Sequence, residues 1–314
     1  MKKMILILFS ILLISGCAGV PDIFGNIFGT QKNKVNELPP DVIVVQNINT
    51  LPTPPINTGD QFSVSFELNN QEEQREADYV GYKLLDSGLC ELYSGDSVDY
   101  MYESFVPAQT EFIEWTFKTP NASDIAYLST KCPVRFRTNY TFEAISTIDF
   151  DVISQQKYDQ LQQSGGPRTF TPTITLGRGP IKIYIEFGAT LPIKSGSVLP
   201  IYITVEDKGI GLFSQIPEGD LTLKIPWSWV SPEINEYPDC GERISCTEMD
   251  PTLEYYVCTN NVNITMIKRK SPKFRCSMKV PGVDIEKIFN VEAYLKYNYE
   301  ITKEVEVEVK PLRT

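Results

Sequence analysis

Residues 54–71 read PPINTGDQFSVSFELNNQ, and the alternation inside this stretch decides the fold class. Apolar side chains occupy every second position from Phe62 to Leu68, with serine or glutamate between them. A period of two is the β-strand period, because successive side chains point to opposite faces of a sheet. One apolar face and one polar face are typical of an antiparallel sheet that covers a core on one side.

The same alternation recurs further along the chain and predicts more strands. It is found at three groups of positions: Ile113, Trp115 and Phe117; Val134, Phe136, Tyr140 and Phe142; Ile148, Phe150 and Val152. Helical periodicity is limited to two short pieces, residues 123–128 and 155–163. Short strands divided by proline, glycine and asparagine favour a β-sandwich over a fold of alternating strands and helices. We therefore predict an all-β protein.

The second half of the chain repeats the plan of the first. The segment PINTG at 55–59 is echoed by PIKSG at 192–196, and the dipeptide NY at 139–140 is echoed at 298–299. Both echoes come in the same order at domain-length spacing, which indicates a duplication. The predicted organisation is a signal peptide (1–16), a flexible tether (17–40), a first sandwich domain (41–153), a linker (154–172) and a second sandwich domain (173–314) with an insertion near 226–261.

The first seventeen residues predict where the protein resides. A basic head of two lysines precedes an apolar run at residues 4–14, which is shorter than the roughly 20 residues of a membrane-spanning helix. The segment ISGC at 14–17 resembles the lipobox of prokaryotic lipoproteins, which implies cleavage before Cys17 and attachment of lipid to its sulfur. Two lipid chains would hold the protein at a membrane. The alternative is an ordinary cleaved signal with a cysteine there by chance.

Residues 54–71 also resemble the second strand of CARDB-type immunoglobulin-like domains of bacterial and archaeal surface proteins. The layout of lipobox, tether and two cysteine-bearing β-domains resembles prokaryotic surface lipoproteins, in particular those of small-celled archaea. The resemblance implies two tandem immunoglobulin-like antiparallel β-sandwich domains without known catalysis. The usual immunoglobulin pattern of a cysteine pair around a tryptophan is missing, because Cys90 follows the expected third strand. The strand topology therefore stays open.

Composition excludes several classes of function. The net charge of -11 repels nucleic acid and anionic headgroups. The chain has no histidine, which removes Ser-His-Asp and Cys-His catalysis and every zinc site that needs histidine. Phosphate-binding and dinucleotide-binding glycine motifs are also missing from the sequence. We expect a protein that is not an enzyme and binds no cofactor or metal.

Six cysteines besides Cys17 predict disulfides, because an even count is typical of a secreted chain. In the first half we predict a bond between Cys90 and Cys132, with buried free thiols as the alternative. The second half holds four cysteines whose spacing matches no paired CxxC zinc motif, so two disulfides are favoured over zinc. Their connectivity stays open: Cys240, Cys246, Cys258 and Cys276.

Three sequons mark candidate glycosylation positions: Asn121, Asn139 and Asn263. In a cell without a pathway for N-glycosylation, these asparagines would carry no glycan. Acidic residues also line strand faces: Asp149 and Asp151 in the first half, and Glu304, Glu306 and Glu308 in the second. These carboxylates fit a calcium site or, as we expect, a solvated face, with Arg135 and Arg137 of a neighbouring strand opposite the aspartates.

The insertion near 226–261 is the candidate partner-binding region. It is rich in prolines, cysteines and aromatic residues, and aromatic residues are enriched at binding hot spots. Its candidate anchors are Trp227, Trp229, Tyr237, Tyr255 and Tyr256. The alternative is that the tryptophans cap the core of the sandwich.

These features predict a lipid-anchored, extracytoplasmic, non-catalytic protein that binds or organises other cell-surface molecules. Its expected partners are the membrane, through lipid at Cys17, and a surface protein or glycan. The alternative is a carbohydrate-binding module or a glycosidase that uses two carboxylates. A solute-binding lipoprotein is disfavoured, because such proteins are usually rich in helix.

Overall fold

The computed structural model describes residues 34–37, 42–165, 171–231, 233, 236–250 and 254–311, and these form an all-β sandwich with one helix. The signal peptide (1–16) and the lipidation candidate Cys17 lie outside the described residues. No helix among the described residues is long and apolar enough to cross a membrane.

The secondary structure follows the alternation of the sequence. The strands are β1 (Lys34–Glu37), β2 (Ile43–Leu51), β3 (Ile56–Asn57), β4 (Gln61–Asn70), β5 (Ala77–Asp86), β6 (Glu91–Gly95), β7 (Asp99–Phe105), β8 (Thr110–Lys118), β9 (Thr130–Ile153), β10 (Thr173–Leu176), β11 (Ile181–Phe187), β12 (Ile193–Lys194), β13 (Val198–Asp207), β14 (Gln215–Ile216), β15 (Leu221–Pro226), β16 (Ile244–Asp250), β17 (Tyr255–Asn260), β18 (Ile264–Thr265), β19 (Phe274–Lys279) and β20 (Glu286–Lys310). Helix α1 spans Gln155–Gln163, as predicted, and the Ser154 side chain caps it by accepting from the Lys157 N–H. The helix predicted at 123–128 is wrong, because these residues form turns.

One long antiparallel ladder organises the molecule. All 24 residues of β9 pair with β20, from Thr130 opposite Val309 to Ile153 opposite Glu286. Even-numbered residues of β9 and odd-numbered residues of β20 face the core for most of this length. The separate strands predicted at 134–142 and 148–152 are wrong, since residues 143–147 continue the alternation and the extended conformation.

Two smaller sheets pack on the inner face of this ladder, one at each end. The sheet β2-β4-β8-β6 covers the beginning of β9, where Phe66 stacks on Phe136 with ring centres 4.1 Å apart. The sheet β11-β13-β19 covers the end of β9, where Phe150 meets Phe187 at 4.5 Å. Burial of apolar side chains between the layers drives this arrangement. One continuous hydrophobic core runs through both ends.

The sequence echoes occupy matching places in the ladder. Ile56 of β3 pairs in parallel with Val309 at the end of β20, and Ile193 of β12 pairs in parallel with Val152 at the end of β9. The two NY dipeptides meet at the centre, where Tyr140 lies opposite Tyr299. The two halves are therefore related as expected for a duplication. Residues from Lys34 onward cluster as one compact unit, and the domain boundaries given above stay a prediction.

Three disulfides brace the fold. Cys90 is bonded to Cys132 in the first half, which is the predicted pair. In the second half Cys240 is bonded to Cys276, and Cys246 to Cys258, so the two-disulfide expectation is confirmed and the connectivity is settled. Cys246 and Cys258 lie directly opposite each other on β16 and β17. The other bond ties the segment before β16 to β19 of the facing sheet.

Candidate functional site

The centre of the ladder is concave on its outer face and forms the candidate site. We call it the waist groove; it has a volume of about 700 Å³. Its floor is made by outward side chains of β9 and β20, and its rim by β5 and β7. The floor residues are Arg137, Asn139, Thr141, Lys296, Asn298 and Glu300, and the rim residues are Tyr79, Lys83, Asp99 and Met101.

Cross-strand pairs hold the polar side chains of the floor in place. The Arg137 guanidinium contacts the Glu300 carboxylate at 3.0 Å, and the Thr141 hydroxyl donates to the Asn298 amide oxygen at 2.5 Å. The Arg137 Nε is buried and has no hydrogen-bond partner among the described residues. On the rim, Lys83 and Asp99 form an ion pair of 2.6 Å. The groove therefore presents two ion pairs, the further cation Lys296 and fixed hydrogen-bonding groups.

Tyr79 supplies an exposed aromatic ring at the rim. Its backbone is left-handed, with φ of 49°, and it lies where the β5 register shifts between Asp78 and Gly81. A non-glycine residue in this conformation costs about 1–3 kcal/mol, and such strain is concentrated at functional sites. Bulges also redirect side chains. A Cβ at nearby Gly81 would come within 2.9 Å of the Asn139 side-chain oxygen and 3.1 Å of the Tyr100 carbonyl oxygen, so a larger residue there would displace the groove floor.

Two smaller depressions continue the groove at its ends. One of about 240 Å³ contains Arg75, whose guanidinium lies 4.4 Å from the centre of the Phe142 ring. The other, of about 280 Å³, is walled by Tyr299, by residues 212–215 and by Pro217. The Tyr299 hydroxyl donates to Asp207 at 3.0 Å, and Arg269 donates to the same carboxylate at 2.8 Å. Burial raises the pKa of Asp207 despite these donors.

Two floor residues of this site belong to a motif that is visible in the sequence. The NY echoes place Asn139 and Asn298 on the groove floor, although the echoes alone point to duplication and not to a groove. Tyr79 was missed. The available signal was Gly81, because a glycine inside a strand often marks a bulge.

The aromatic candidates of residues 226–261 do not line the waist groove. Trp229 is buried, which fits the core alternative given for the tryptophans, and Tyr256 is buried as well, so neither presents its ring to a partner. Tyr237 and Tyr255 are half-buried, and Tyr237 packs edge-on against Tyr256. Only Trp227 of this set is exposed. The segment is not a free excursion, since it supplies the sheet strands β16 and β17.

The sequons differ in position. Asn139 lies half-buried on the groove floor, where a glycan would fill the groove. Asn121 and Asn263 are exposed on the surface. The Asn121 amide donates to Asp124 at 3.1 Å, and the Asn263 side chain accepts from the Glu218 N–H at 2.9 Å. Glycosylation at all three positions stays a prediction.

Four of the five acidic strand-face residues named above, all but Asp151, have an ion-pair or hydrogen-bond partner among the described residues. Arg135 pairs with Glu304 at 2.6 Å, so its predicted contact with the aspartates is wrong. The reason is that Arg135 and Asp149 belong to the same strand, β9. Asp149 instead accepts from the Asn290 amide at 2.6 Å. Two further glutamates have lysine partners: Glu306 with Lys131 and Glu308 with Lys310. This arrangement fits the solvated-face interpretation.

No protein family and no curated protein matches this chain. Among solved structures, that of red sea bream transglutaminase is similar over 85% of this chain and 31% of that chain, with a TM-score of 0.19 and 7% sequence identity. This chain therefore spans less than a third of the length of that protein. A TM-score of this size does not establish a shared fold, so function rests on the site alone.

Proposed function

We propose that this chain is a lipid-anchored, extracytoplasmic binding protein that contacts other cell-surface molecules and performs no chemistry. Three disulfides support an oxidising compartment outside the cytoplasm. The lipobox-like segment ending at Cys17 supports anchoring, and the resemblance to archaeal CARDB-type lipoproteins supports display at the surface.

The waist groove is the observation that carries the binding role. Its floor is fixed by the long β9–β20 ladder, so its polar groups are ordered before a ligand arrives. Pre-ordering lowers the entropy cost of association. Its carboxylates at Asp99 and Glu300 are already paired with Lys83 and Arg137. Such pairs favour recognition of a polar ligand over acid and base chemistry.

A carbohydrate is the second candidate, as the ligand of this groove. Sugars offer C–H faces that pack on aromatic rings, and hydroxyl groups that pair with amides, carboxylates and guanidinium groups. Tyr79 provides the ring at the rim, and Asn139, Asn298 and Arg137 provide the planar polar groups on the floor. The exposed, redirected ring of Tyr79 is the specific observation that favours this ligand class.

A matched pair of tyrosine variants tests the groove. Tyr79 is 53% exposed in the groove, and Tyr93 is 62% exposed on β6, outside it. We expect Tyr79→Ser to abolish crosslinking of surface partners to the anchored chain in its own envelope, while Tyr93→Ser retains it. A glycan array with the same variants identifies the ligand class. Equal capture by both variants would refute the groove as the binding surface.

The anchor is tested separately. Mass spectrometry of the mature N-terminus is expected to show a lipid-modified Cys17, and Cys17→Ser is expected to leave the chain unprocessed or released with its fold unchanged. An unmodified Cys17 at the wild-type N-terminus would contradict the anchor without affecting the groove.

A further inference from the structure

We propose that one corner of the second half docks on an anionic lipid bilayer. The basic corner, as we call it, consists of two loops, residues 208–212 after β13 and residues 266–270 after β18. Their sequences are KGIGL and MIKRK. The proposal goes beyond the binding role of the waist groove and does not depend on it.

The two loops are joined into one rigid surface. The Arg269 guanidinium donates to the carbonyl oxygens of Gly209 and Gly211 and to the Asp207 carboxylate. The loop 208–212 also packs closely on β20, because a Cβ at Gly211 would come within 2.2 Å of the Glu300 carbonyl oxygen. Strand β14, which follows the first loop, pairs with β18, which precedes the second loop. The exposed side chains at this corner are therefore held in place.

Large aliphatic side chains project from this corner into solvent. Ile210 is 68% exposed, Leu212 is 61% exposed and Ile267 is 65% exposed. The adjacent Phe213 is buried and Met266 is packed against the core, so both loops already have an apolar anchor. The three exposed aliphatic residues thus contribute no core packing, and burial elsewhere would be favourable.

Cations surround these aliphatic residues. The corner carries Lys208, Lys268, Arg269 and Lys270, and the acids beside it are Glu206, the buried Asp207 and Glu300, whose carboxylate is paired with Arg137. Lys208 and Lys270 both pair with Glu206. The corner has a net positive charge within a chain of net charge -11. Exposed aliphatic side chains with cations beside them suit the interface of an anionic bilayer. There the aliphatic side chains would insert between the lipids, and the cations would contact the headgroups.

The backbone of the lysine-rich turn is itself strained. Lys268 and Arg269 are both left-handed, with φ of 50° and 66°, at a tight turn closed by Ile267 and Lys270. Glycine or asparagine is the usual choice at such positions. Lysine and arginine persist here at a cost to stability, which fits a role for their charges.

Sedimentation with vesicles tests the proposal on the chain from residue 34 onward, the compact unit that contains the described core and all three disulfides. This unit lacks Cys17, so a failure of the anchor does not affect the result. We expect binding to vesicles with phosphatidylglycerol, little binding to pure phosphatidylcholine, and loss of binding in high salt, where screening is strong. Equal binding to both vesicle types, or no binding to either, would overturn the proposal without any variant.

Variants then locate the contact. The double change Lys268→Gln and Lys270→Gln is expected to weaken binding about 25-fold, at about fivefold for each cation near an anionic surface. The double change Ile210→Ser and Ile267→Ser is expected to weaken it about tenfold or more.

A matched control is present in the same half. Ile285 is 67% exposed and Ile288 is 66% exposed, but their neighbours include Asp284 and Glu286. Changing both isoleucines to serine is expected to leave vesicle binding within about twofold of wild type, because Lys287 and Lys157 only offset the two acids and leave no net positive charge to meet anionic headgroups. If this control loses as much binding as the corner variants, the corner is not the contact.

Discussion

The two ends of the sandwich each bury a tryptophan among phenylalanines, but they hold it in different ways. Trp115 lies in β8, 5.3 Å from Phe66 between ring centres, and Trp229 lies in the turn after β15, 5.3 Å from Phe289. The Trp115 indole N–H donates to the Ser97 carbonyl oxygen at 3.3 Å. The Trp229 indole N–H is buried and has no hydrogen-bond partner among the described residues.

The two tryptophan sites differ in how the chain around each ring is held over the core. Trp115 is held by ladder hydrogen bonds on both sides, to β4 and β6. Among the residues that the structure describes, the segment after Trp229 meets β19 through isolated bridges, at Val230 and Asp239, and through the bond from Cys240. Where regular pairing is scarce, a covalent link fixes the chain over the core.

Alanine substitution at each tryptophan gives the largest expected effect. Removing a buried tryptophan side chain costs about 3–5 kcal/mol of folding stability, through lost burial and a residual cavity. We expect Trp115→Ala to be the more damaging change, because it also removes a hydrogen bond. Urea unfolding of the chain from residue 34 onward measures both values. If Trp229→Ala costs under about 1 kcal/mol, this end of the core collapses around the missing ring and the comparison fails.

Removing disulfides comes next in size. Cys90→Ser with Cys132→Ser opens a closed loop of about 43 residues and is expected to cost about 4 kcal/mol. Cys246→Ser with Cys258→Ser opens a loop of about 13 residues and is expected to cost about 3 kcal/mol. The second pair lies on hydrogen-bonded neighbouring strands, which lowers its effect further. Denaturation midpoints of the two double variants should keep this order; the reverse order would show that the second half depends more on its covalent links.

The strands themselves were readable from the sequence, because alternation is a local signal. The continuity of β9 was also present there, since no glycine or proline interrupts residues 134–153. The even number of cysteines predicted the disulfides. Their pairing in the second half depends on β16 and β17 lying opposite each other, and a local sequence pattern does not contain this information.

The two surface features depend on contacts that no single segment contains. The waist groove needs β5, β9 and β20 side by side and the bulge at Tyr79. The basic corner needs Arg269 to join its turn to a loop 58 to 60 residues earlier. The lysine-rich run at 268–270 is visible in the sequence, but its aliphatic neighbours at 210 and 212 are not visible as neighbours.

Phenylalanine substitutions sharpen the tryptophan comparison. Both changes remove the same atoms, but Trp115→Phe loses a made hydrogen bond, whereas Trp229→Phe removes a buried N–H that has no partner among the described residues. We therefore expect Trp115→Phe to be the more destabilising of the two by about 1 kcal/mol. Equal losses in unfolding experiments would mean that the Trp229 N–H is satisfied in solution.

The smallest expected effect is a difference in pH dependence between two carboxylates, one with partners inside the second half and one that pairs with a residue of the first half. Glu206, in the second half, has a side chain 19% exposed and bonded to Lys208 and Lys270, whereas Glu304 is 37% exposed beside Arg135 of the first half. Burial raises the pKa of Glu206, but the two lysines lower it more, so its pKa lies below the ordinary 4.5. A depressed pKa adds stability that is present above the unfolded value and disappears as the pH falls through the folded value. We therefore expect Glu206→Gln to lower the melting temperature at pH 7 and to match wild type near pH 3.

Glu304→Gln is the control and should change the dependence of the melting temperature on pH less, because water screens its ion pair. A deficit in Glu206→Gln that stays constant from pH 7 to pH 3 would show that its role is packing and not charge.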